Sequence, residues 1–362
     1  MIPEMSALEQ IASRVLEFVP RDIASGQSPA CLYGMGLIGQ WALPTLKKSG
    51  VIVAHCYDAD PALNGTYLHG VPIHSASNLA SDKPDFVIVT SRHAVGPIST
   101  MLATLGIAHV SYDAWYAALE FASFRNTHDT VLNDERSKKV LRAVLMAMLT
   151  GDARYCEAVL ERDQYFCLPQ FFGLQNEIYV DAGAFVGDSV ERFIWAQNGI
   201  FSKIYAFEPG ADQFLALQTR AGRLKAEWAL SADTIELVHA ALGEDDRKSF
   251  AGKRGVLTSL AVRETQTPGS RAINILNLDR YLNGARITFL KADVEGMEMA
   301  LLKGARATIE RYKPKIAICA YHYPADVPVL SSYLREIVPD YNFSLRHHSP
   351  RLLETVLYCW AD

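Results

Sequence analysis

The most informative segment of the chain is Tyr179-Val-Asp-Ala-Gly-Ala-Phe-Val-Gly-Asp-Ser189. An apolar run ends in an acid, and Gly183 and Gly187 follow it before a second acid. A second apolar run, Ile204-Tyr-Ala-Phe-Glu-Pro209, also ends in an acid, Glu208. Two short strands joined through a glycine turn, with an acid at the end of the second strand, are typical of a nucleoside site in an α/β sheet.

The residue types in this turn indicate which nucleoside it binds. Glycine lacks a Cβ and tolerates positive φ, so the backbone can approach a ligand closely. The turn departs from G-x-G-x-x-G and does not present helix N–H groups to a pyrophosphate in the usual way. A nucleoside without phosphates is therefore favoured, and S-adenosylmethionine is the common one. We expect Asp181, Gly183, Gly187 and Asp188 to surround its methionine part and ribose, and Glu208 to bind both ribose hydroxyls.

The composition narrows the class of protein. The chain has 362 residues, of which 49% are hydrophobic, which is enough for about two domains. A net charge of −5 argues against non-specific nucleic-acid binding. Six scattered cysteines form no C-x-x-C pair, which favours reduced thiols in the cytosol. We find no signal peptide and no apolar run long enough for a membrane span, so a cytoplasmic protein is expected.

Residues 1–120 alternate between strands and helices, which predicts a Rossmann-like parallel sheet. Strands are expected at 30–33, 51–57, 85–89 and 106–110, and a helix at 38–48. Gly34, Gly36 and Gly39 follow the first strand, and Asp58 ends the second. This G-x-G-x-x-G pattern makes a nucleotide or sugar nucleotide a possible ligand of an accessory domain, and bound NAD an alternative.

Residues 121–169 read as a helical connector, since charged and apolar residues alternate with helical spacing between 134 and 148. Residues 170–362 return to α/β alternation. Strands are expected at 178–182, 203–207, 235–240, 287–292, 315–320, 342–347 and 354–360. The loop between the last two is too short for a crossover helix, so that pair should be antiparallel. A parallel sheet finished by one reversed strand is the plan of a class I methyltransferase.

Phe289-Leu-Lys-Ala-Asp-Val-Glu-Gly-Met-Glu298 brings acids to the carboxyl end of a strand, where ligands of open α/β sheets bind. Asp293 is a candidate for the cofactor's ammonium group or for the catalytic base. Glu295 is a candidate for orienting a substrate hydroxyl. Glu298 falls on the following helix, where we expect a solvated or capping residue.

Histidines and small apolar residues complete the predicted site. His322 ends the strand expected at 315–320 and is a candidate general base. Ala241 and Leu242 follow the strand expected at 235–240 and are expected beside the adenine. His347 and His348 are expected at the surface or in a turn.

The second half of the chain resembles the FkbM family of S-adenosylmethionine-dependent methyltransferases over about residues 130–362. The matching stretches are Gln164-Tyr-Phe166, Val180-Asp-Ala-Gly-Ala-Phe-Val-Gly-Asp188, Ala206-Phe-Glu-Pro209, Lys291-Ala-Asp-Val-Glu-Gly-Met-Glu298, Leu302-Lys-Gly304 and Tyr321-His322. The resemblance implies a class I fold, S-adenosylmethionine as cofactor and O-methylation of a saccharide or natural-product-like acceptor. It does not encode which acceptor.

The first domain is similar, more weakly, to the small Rossmann-like domain found ahead of sugar-modifying enzymes, through Gly34-Met-Gly-Leu-Ile-Gly39, Tyr57-Asp-Ala-Asp-Pro61 and Gly70-Val-Pro-Ile73. The alternative function is accordingly an NAD(P)-dependent oxidoreductase, or a protein that binds sugar nucleotides. A non-enzymatic scaffold is a third interpretation.

Methyl transfer to a hydroxyl needs a proton acceptor, because a neutral hydroxyl is a poor nucleophile. His322 is the first candidate from the sequence and Asp293 the second. Asp293, Glu295 and His322 could instead hold a divalent cation that polarises the hydroxyl; direct base catalysis is preferred, and no metal is assigned.

Overall fold

The computed structural model of the chain describes residues 2–254, 257–263 and 271–362. Within them the chain forms two mainly parallel sheets, each with one antiparallel strand, and a smaller mixed sheet. The expected α/β class, with an N-terminal Rossmann-like sheet ahead of a class I methyltransferase sheet, is confirmed.

The N-terminal sheet has six strands in the order β3-β4-β2-β1-β5-β6. They are β1 (Ala30–Tyr33), β2 (Val53–Asp58), β3 (Tyr67–Leu68), β4 (Val71–Ser75), β5 (Phe86–Val89) and β6 (Ala108–Ser111). All neighbours are parallel except β3 and β4. The four predicted strands and the predicted helix are present, with ends shifted by up to two residues.

The large sheet has seven strands in the order β16-β17-β15-β14-β7-β8-β9. They are β7 (Ile178–Ala182), β8 (Lys203–Phe207), β9 (Ile235–Val238), β14 (Phe289–Ala292), β15 (Lys315–Cys319), β16 (Asn342–His347) and β17 (Thr355–Trp360). Only β17 is reversed: it inserts antiparallel between β15 and β16. The predicted reversed strand is confirmed, and it follows from the short loop before it.

A four-stranded sheet, β10-β13-β11-β12, was not predicted. It consists of β10 (Ala241–Gly243), β11 (Arg247–Arg254), β12 (Leu257–Arg263) and β13 (Arg271–Asn277). β11 and β12 form an antiparallel hairpin, and β10 pairs with β13 in parallel. This insertion begins directly after β9, so it lies next to the carboxyl edge of the large sheet.

Fifteen α-helices cover the sheets in the described part of the chain. They are α1 (Met5–Phe18), α2 (Arg21–Ala24), α3 (Leu37–Lys48), α4 (Leu79–Asp82), α5 (Val95–Thr104), α6 (Tyr112–Leu119), α7 (Phe121–Asn126), α8 (Glu135–Thr150), α9 (Arg154–Glu157), α10 (Asp188–Ala196), α11 (Ala211–Glu227), α12 (Leu278–Leu282), α13 (Glu298–Gly304), α14 (Arg306–Tyr312) and α15 (Asp326–Ile337). None is long and apolar enough to cross a membrane, within the residues described.

Helix α8 is the amphipathic helix predicted between the two sheets. Asp134 caps its start by accepting a hydrogen bond from Ser137 N at 2.8 Å, and Gly151 ends it with φ 72°. Its apolar residues, such as Leu141 and Leu145, share one hydrophobic core with Leu8 of α1 and with the large sheet. The helix therefore packs into the core on several sides, which is more than a connector requires.

Candidate active site

A cavity of about 320 Å³ opens at the carboxyl ends of β7, β8 and β14. Seven predicted site residues line it: Gly183, Asp188, Glu208, Ala241, Leu242, Asp293 and Glu295. The sheet order explains this, because β7 lies in the middle, between β8 and β14, and the chain reverses direction after each strand at the same edge. Asp181, Gly187 and His322 lie behind this lining.

The glycine turn after β7 is tight for reasons of packing. Gly183 has φ 78°, and a Cβ there would overlap the carbonyl oxygen of Asp293. Gly187 has φ 84°, and its Cβ would lie 2.9 Å from Leu217 Cδ1 of α11. The two glycines thus allow the turn to fit between the β14 edge and α11, and so they set one wall of the cavity.

Asp181 supports the turn from below. Its carboxylate is fully buried, lies 2.9 Å from Lys291 Nζ, and accepts a hydrogen bond from Ser189 Oγ at 2.6 Å. Lys291 Nζ also donates to the carbonyl of Gly183 at 2.7 Å. Asp181 and Lys291 are register partners on β7 and β14, so the sheet itself positions the pair. Burial opposes the charge on Lys291, yet Asp181 raises the pKa of that ammonium above its ordinary value.

Two backbone hydrogen bonds orient the carboxylate of Glu208 at the end of β8. Its Oε2 accepts a hydrogen bond from Phe185 N at 2.9 Å and its Oε1 accepts one from Gly210 N at 2.7 Å. Burial raises the pKa of this carboxyl, and the two N–H groups oppose that rise. Each oxygen keeps lone-pair capacity toward the cavity, which suits a carboxylate that binds a pair of hydroxyls.

The turn after β14 carries the acids. Asp293 Oδ2 accepts a hydrogen bond from Tyr165 Oη at 3.1 Å, whereas Oδ1 is buried and has no hydrogen-bond partner among the described residues. Glu295 has φ 55°, a left-handed conformation that is uncommon for a non-glycine residue. Gly296 follows with φ 93°, and a Cβ there would lie 2.6 Å from Tyr323 Oη. This close contact between the β14 turn and the segment after β15 fixes the position of Glu295.

His322 follows β15 and lies beneath the acids. Its Nε2 is 3.6 Å from Asp293 Oδ1 and 3.7 Å from Glu295 Oε2, and its Nδ1 is 3.0 Å from Glu298 Oε1. Burial disfavours the imidazolium, but Glu298, Asp293 and Glu295 outweigh it and raise the pKa of His322 to about 10. In the protein without ligands, the imidazole is therefore protonated at neutral pH.

Glu298 was expected to be a solvated or capping residue and has the capping role, whereas the surface position expected for His347 is wrong. Glu298 is 2% exposed; it accepts a hydrogen bond from Val294 N at 3.0 Å and pairs with His322, so it caps the turn but is not solvated. His347 ends β16 and is fully buried, because Glu161 N donates to its carbonyl and the chain around residue 160 covers this edge. His348 is half-buried and its Nε2 lies 3.0 Å from Tyr358 Oη.

The residues of the cavity wall that were not assigned a role from the sequence include Tyr165, Tyr321 and Glu354. Tyr321 Oη donates to Glu354 Oε1 at 3.2 Å, and Gln164 donates to Glu354 Oε2 at 2.6 Å. Burial, and then the nearby Asp293, raises the pKa of Glu354. The sequence offered one indication that Gln164, Tyr165 and Tyr321 belong to the site: they lie in stretches that match the family. Glu354 comes from the loop before β17 and has no local signature.

The N-terminal sheet contacts the same edge. Arg92, which follows β5, donates from its Nε to Asp113 Oδ2 at 2.9 Å and from its Nη1 to the carbonyl of Tyr321. Trp41 of α3 stacks on Tyr323, with ring centroids 5.1 Å apart and planes 24° from parallel. The carboxyl edge of the first sheet is therefore joined to the segment on either side of His322.

The predicted nucleotide motif of the first sheet has packing roles at two of its glycines. A Cβ on Gly34 would overlap Ser91 Oγ, and one on Gly39 would overlap the carbonyl oxygen of Gly34, whereas Gly36 faces open space. Asp58 accepts hydrogen bonds from Met35 N at 2.6 Å and from Asp60 N at 2.8 Å. Asp58, the acid that could bind a ribose, therefore already accepts hydrogen bonds from the neighbouring backbone. Nucleotide binding at this motif stays a prediction.

Comparisons with known proteins agree with this geometry. Residues 181–345 match the family model of the Methyltransferase FkbM domain, a range that contains Glu208, Asp293 and His322. No curated protein matches the chain. The structure is similar to that of a methyltransferase FkbM from Methylobacillus flagellatus KT, with a TM-score of 0.60, 24% identity and 98% of each chain covered. This likeness shows that the fold is shared over 98% of the chain.

Two other solved structures resemble only part of the chain. An rRNA methylase from Streptococcus thermophilus has a TM-score of 0.35 and 16% identity, over 56% of this chain and 98% of that one. An Aeropyrum pernix fibrillarin with natively bound S-adenosyl-L-methionine has a TM-score of 0.33 and 11% identity, over 57% and 72%. The domain match alone confirms the expected activity class, a methyltransferase, and S-adenosylmethionine as its methyl donor.

Proposed function

We propose that this chain, which carries an FkbM methyltransferase domain at residues 181–345, methylates a hydroxyl of a saccharide or natural-product-like acceptor. The observation that carries the proposal is the composition of the cavity. One half offers Glu208 and the small apolar wall of Ala241 and Leu242 to a nucleoside, and the other half offers Asp293, Glu295 and Glu354. Carboxylates are acceptors only, so this second half suits an acceptor rich in hydroxyl groups.

The cofactor supplies the reactive methyl group, and the protein supplies orientation and a proton acceptor. Asp293 is the better-supported acceptor, because it lines the cavity and its side chain is 25% exposed. The side chain of His322 is only 4% exposed and lies behind Asp293. We therefore infer that His322 positions the carboxylates and that Asp293 takes the proton. The acceptor oxygen would then take the methyl group that S-adenosylmethionine supplies when bound, with S-adenosylhomocysteine as the leaving group.

Four residues would contribute to cofactor binding, three of them from the cavity lining and Asp181 from behind it. Glu208 would bind the ribose hydroxyls and Gly183 would face the methionine part, since both line the cavity. Asp181 would act through Lys291 and Ser189, because its own carboxylate is buried and fully engaged. Asp188, at the first turn of α10, lines the same half of the cavity.

The experiment is turnover of S-adenosylmethionine with a panel of saccharides and hydroxylated natural products, measured as S-adenosylhomocysteine formed and as the mass of the methylated product. Asp293→Asn should lower kcat by about 10²–10⁴-fold, the range for loss of a general base. Asp212→Asn, an exposed acid on α11, is the matched control and should keep the wild-type rate.

Two outcomes would contradict the assignment. If Asp293→Asn kept its kcat but bound S-adenosylhomocysteine more weakly, Asp293 would bind the cofactor's ammonium group instead. If no hydroxylated acceptor were methylated while a nitrogen or carbon nucleophile was, the O-methyltransferase proposal itself would fail.

A further inference from the structure

Glu354 and Asp293 come from distant segments that meet at one end of the cavity. Both side chains line it, and carboxylate oxygens of the two residues lie within 4.8 Å of each other. Asp293 follows β14, whereas Glu354 belongs to the loop between β16 and β17. Asp293 is the proposed proton acceptor, and Glu354 has no part in that step. Its position beside the reacting group makes Glu354 a candidate for recognising the acceptor.

Hydrogen bonds hold the Glu354 carboxylate in one orientation. Tyr321 Oη donates to its Oε1 at 3.2 Å, and Gln164 Nε2 donates to its Oε2 at 2.6 Å. The same Gln164 amide donates to Tyr165 Oη at 3.1 Å, and Tyr165 Oη donates to Asp293 Oδ2 at 3.1 Å. One chain of hydrogen bonds therefore joins the two carboxylates, so the protein sets their separation before an acceptor binds.

The backbone of Glu354 adopts a conformation that residues with a side chain rarely use. Its φ is 57°, in the left-handed region, and its carbonyl accepts a hydrogen bond from His348 N at 3.0 Å that closes the loop. Glycine would adopt the same φ without strain. A strained position on the wall of a cavity is typical of a residue whose side chain has a function.

The Glu354 carboxylate has capacity for a further hydrogen-bond donor. Each of its oxygens accepts one of the hydrogen bonds from Tyr321 and Gln164, and a carboxylate oxygen has two lone pairs. Burial, and then the nearby Asp293, raises the pKa of this carboxyl, which means that its present partners do not fully replace water around the charged form. A hydroxyl that donates to Glu354 would stabilise that charged form.

Two hydroxyl groups on neighbouring carbons match the spacing of the two acids. A single hydroxyl has one proton and donates to only one carboxylate at a time, so a pair of carboxylates calls for a pair of hydroxyls. Adjacent hydroxyl oxygens of a sugar ring are separated by roughly 3 Å, a hydrogen-bond length. Hydrogen bonds from a hydroxyl to a carboxylate are about 2.5–2.7 Å long, so both hydroxyls can reach oxygens that lie within 4.8 Å of each other.

We propose that Glu354 determines specificity by binding the hydroxyl next to the one that is methylated, so that the acceptor is a vicinal diol. The inference rests on the proposed function, in which Asp293 takes the proton of the reacting hydroxyl. Glu354 takes no proton in this step and forms no covalent bond. It fixes the second hydroxyl, and this orients the reacting oxygen toward the methyl group. An acceptor without the second hydroxyl would leave the buried carboxylate without that donor.

The test measures kcat/KM of the full chain with S-adenosylmethionine and methyl hexopyranosides of the gluco, galacto and manno series. Each is compared with derivatives that lack one hydroxyl, and product mass and NMR identify the methylated position. Loss of the hydroxyl beside that position should lower kcat/KM about 10- to 150-fold, the range for a hydrogen bond to a charged group. Glu354→Gln should lower kcat/KM for the intact acceptor at least about tenfold, and should react with the intact and deoxy acceptors at similar rates.

Two further variants separate recognition from folding. Glu354→Gly removes the carboxylate and adopts φ 57° without strain, so the loop keeps its backbone conformation. It should lose the discrimination between intact and deoxy acceptors while thermal denaturation shows a folded protein. Asp212→Asn, an exposed acid on α11, is the matched control and should discriminate as the wild type does.

The outcomes separate this inference from the proposed function. Glu354 variants that methylate and still discriminate as the wild type does would overturn the inference and leave the proposed function standing. A wild-type protein that uses intact and deoxy acceptors equally would do the same. A preference for an amino group in place of the second hydroxyl would show that the acids recognise a cation, which also overturns it. If no hydroxylated compound is methylated, the proposed function fails and the inference fails with it.

Discussion

Replacing Glu208 by alanine tests the cofactor site where its geometry is best defined. The carboxylate accepts two backbone hydrogen bonds, from Phe185 N at 2.9 Å and Gly210 N at 2.7 Å, and it is 6% exposed. Its remaining lone pairs face the cavity. Hydrogen bonds to a charged group contribute about 1.5–3 kcal/mol each, and water that enters the enlarged cavity recovers part of that. We therefore expect Glu208→Ala to weaken S-adenosylhomocysteine binding by roughly 1–3 kcal/mol, which is about 5- to 150-fold.

Calorimetric titration with S-adenosylhomocysteine measures this loss, and thermal denaturation shows whether the variant is folded. Glu208→Gln keeps an oxygen acceptor for one backbone N–H, so it should be the more stable of the two variants while still binding the cofactor weakly. An analogue that lacks the ribose hydroxyls should bind wild type and Glu208→Ala alike, since the lost contact is absent from both complexes. A folded Glu208→Ala protein with wild-type affinity for S-adenosylhomocysteine would refute the assignment of Glu208 to the ribose.

Two further predictions concern buried charges. Lys291→Met should destabilise the protein by about 3–5 kcal/mol in urea denaturation, because it leaves the buried Asp181 without its cation. The double variant Asp181→Asn/Lys291→Met should recover most of the lost stability. A double variant no more stable than Lys291→Met would contradict this. His347 is fully buried and burial lowers its pKa to about 4, so the unfolded chain, with a pKa of about 6.5, binds more protons between these values. Stability should therefore be complete above about pH 6.5 and fall by up to about 3 kcal/mol toward pH 4, and His347→Asn should reduce that slope in denaturation curves measured across this range.

Periodicity and strand-end residues predicted most of the large sheet. β7, β8 and β16 begin and end as expected, and β17 is reversed because the loop before it is short. Residues on strand ends of a parallel sheet must converge, so Glu208, Asp293 and Glu295 could be placed at one cavity from the sequence alone. Whether each side chain faces the cavity or the core could not be predicted, and Asp181 faces the core because Lys291 lies opposite it in the register.

The features that sequence reasoning missed depend on contacts between distant parts of the chain. Glu354 reaches the acids through a loop whose sequence has no catalytic pattern, and Tyr165 reaches Asp293 across 128 positions. His347 was expected at the surface because the sequence around it gives no indication that residues near Leu160 cover the edge of β16. The sequences of β11 and β12 lack the regular alternation of polar and apolar residues that indicates a half-buried strand.

The backbone and the side chain of Tyr321 have different roles. Its carbonyl accepts the hydrogen bond from Arg92, whereas its side chain lines the cavity. Every amino acid has the same backbone carbonyl group. The hydrogen bond from Arg92 to residue 321 therefore does not depend on which side chain that residue has. During divergence, substitutions at position 321 can therefore reshape the wall of the cavity and change which acceptors fit, while the two sheets remain joined in the same orientation.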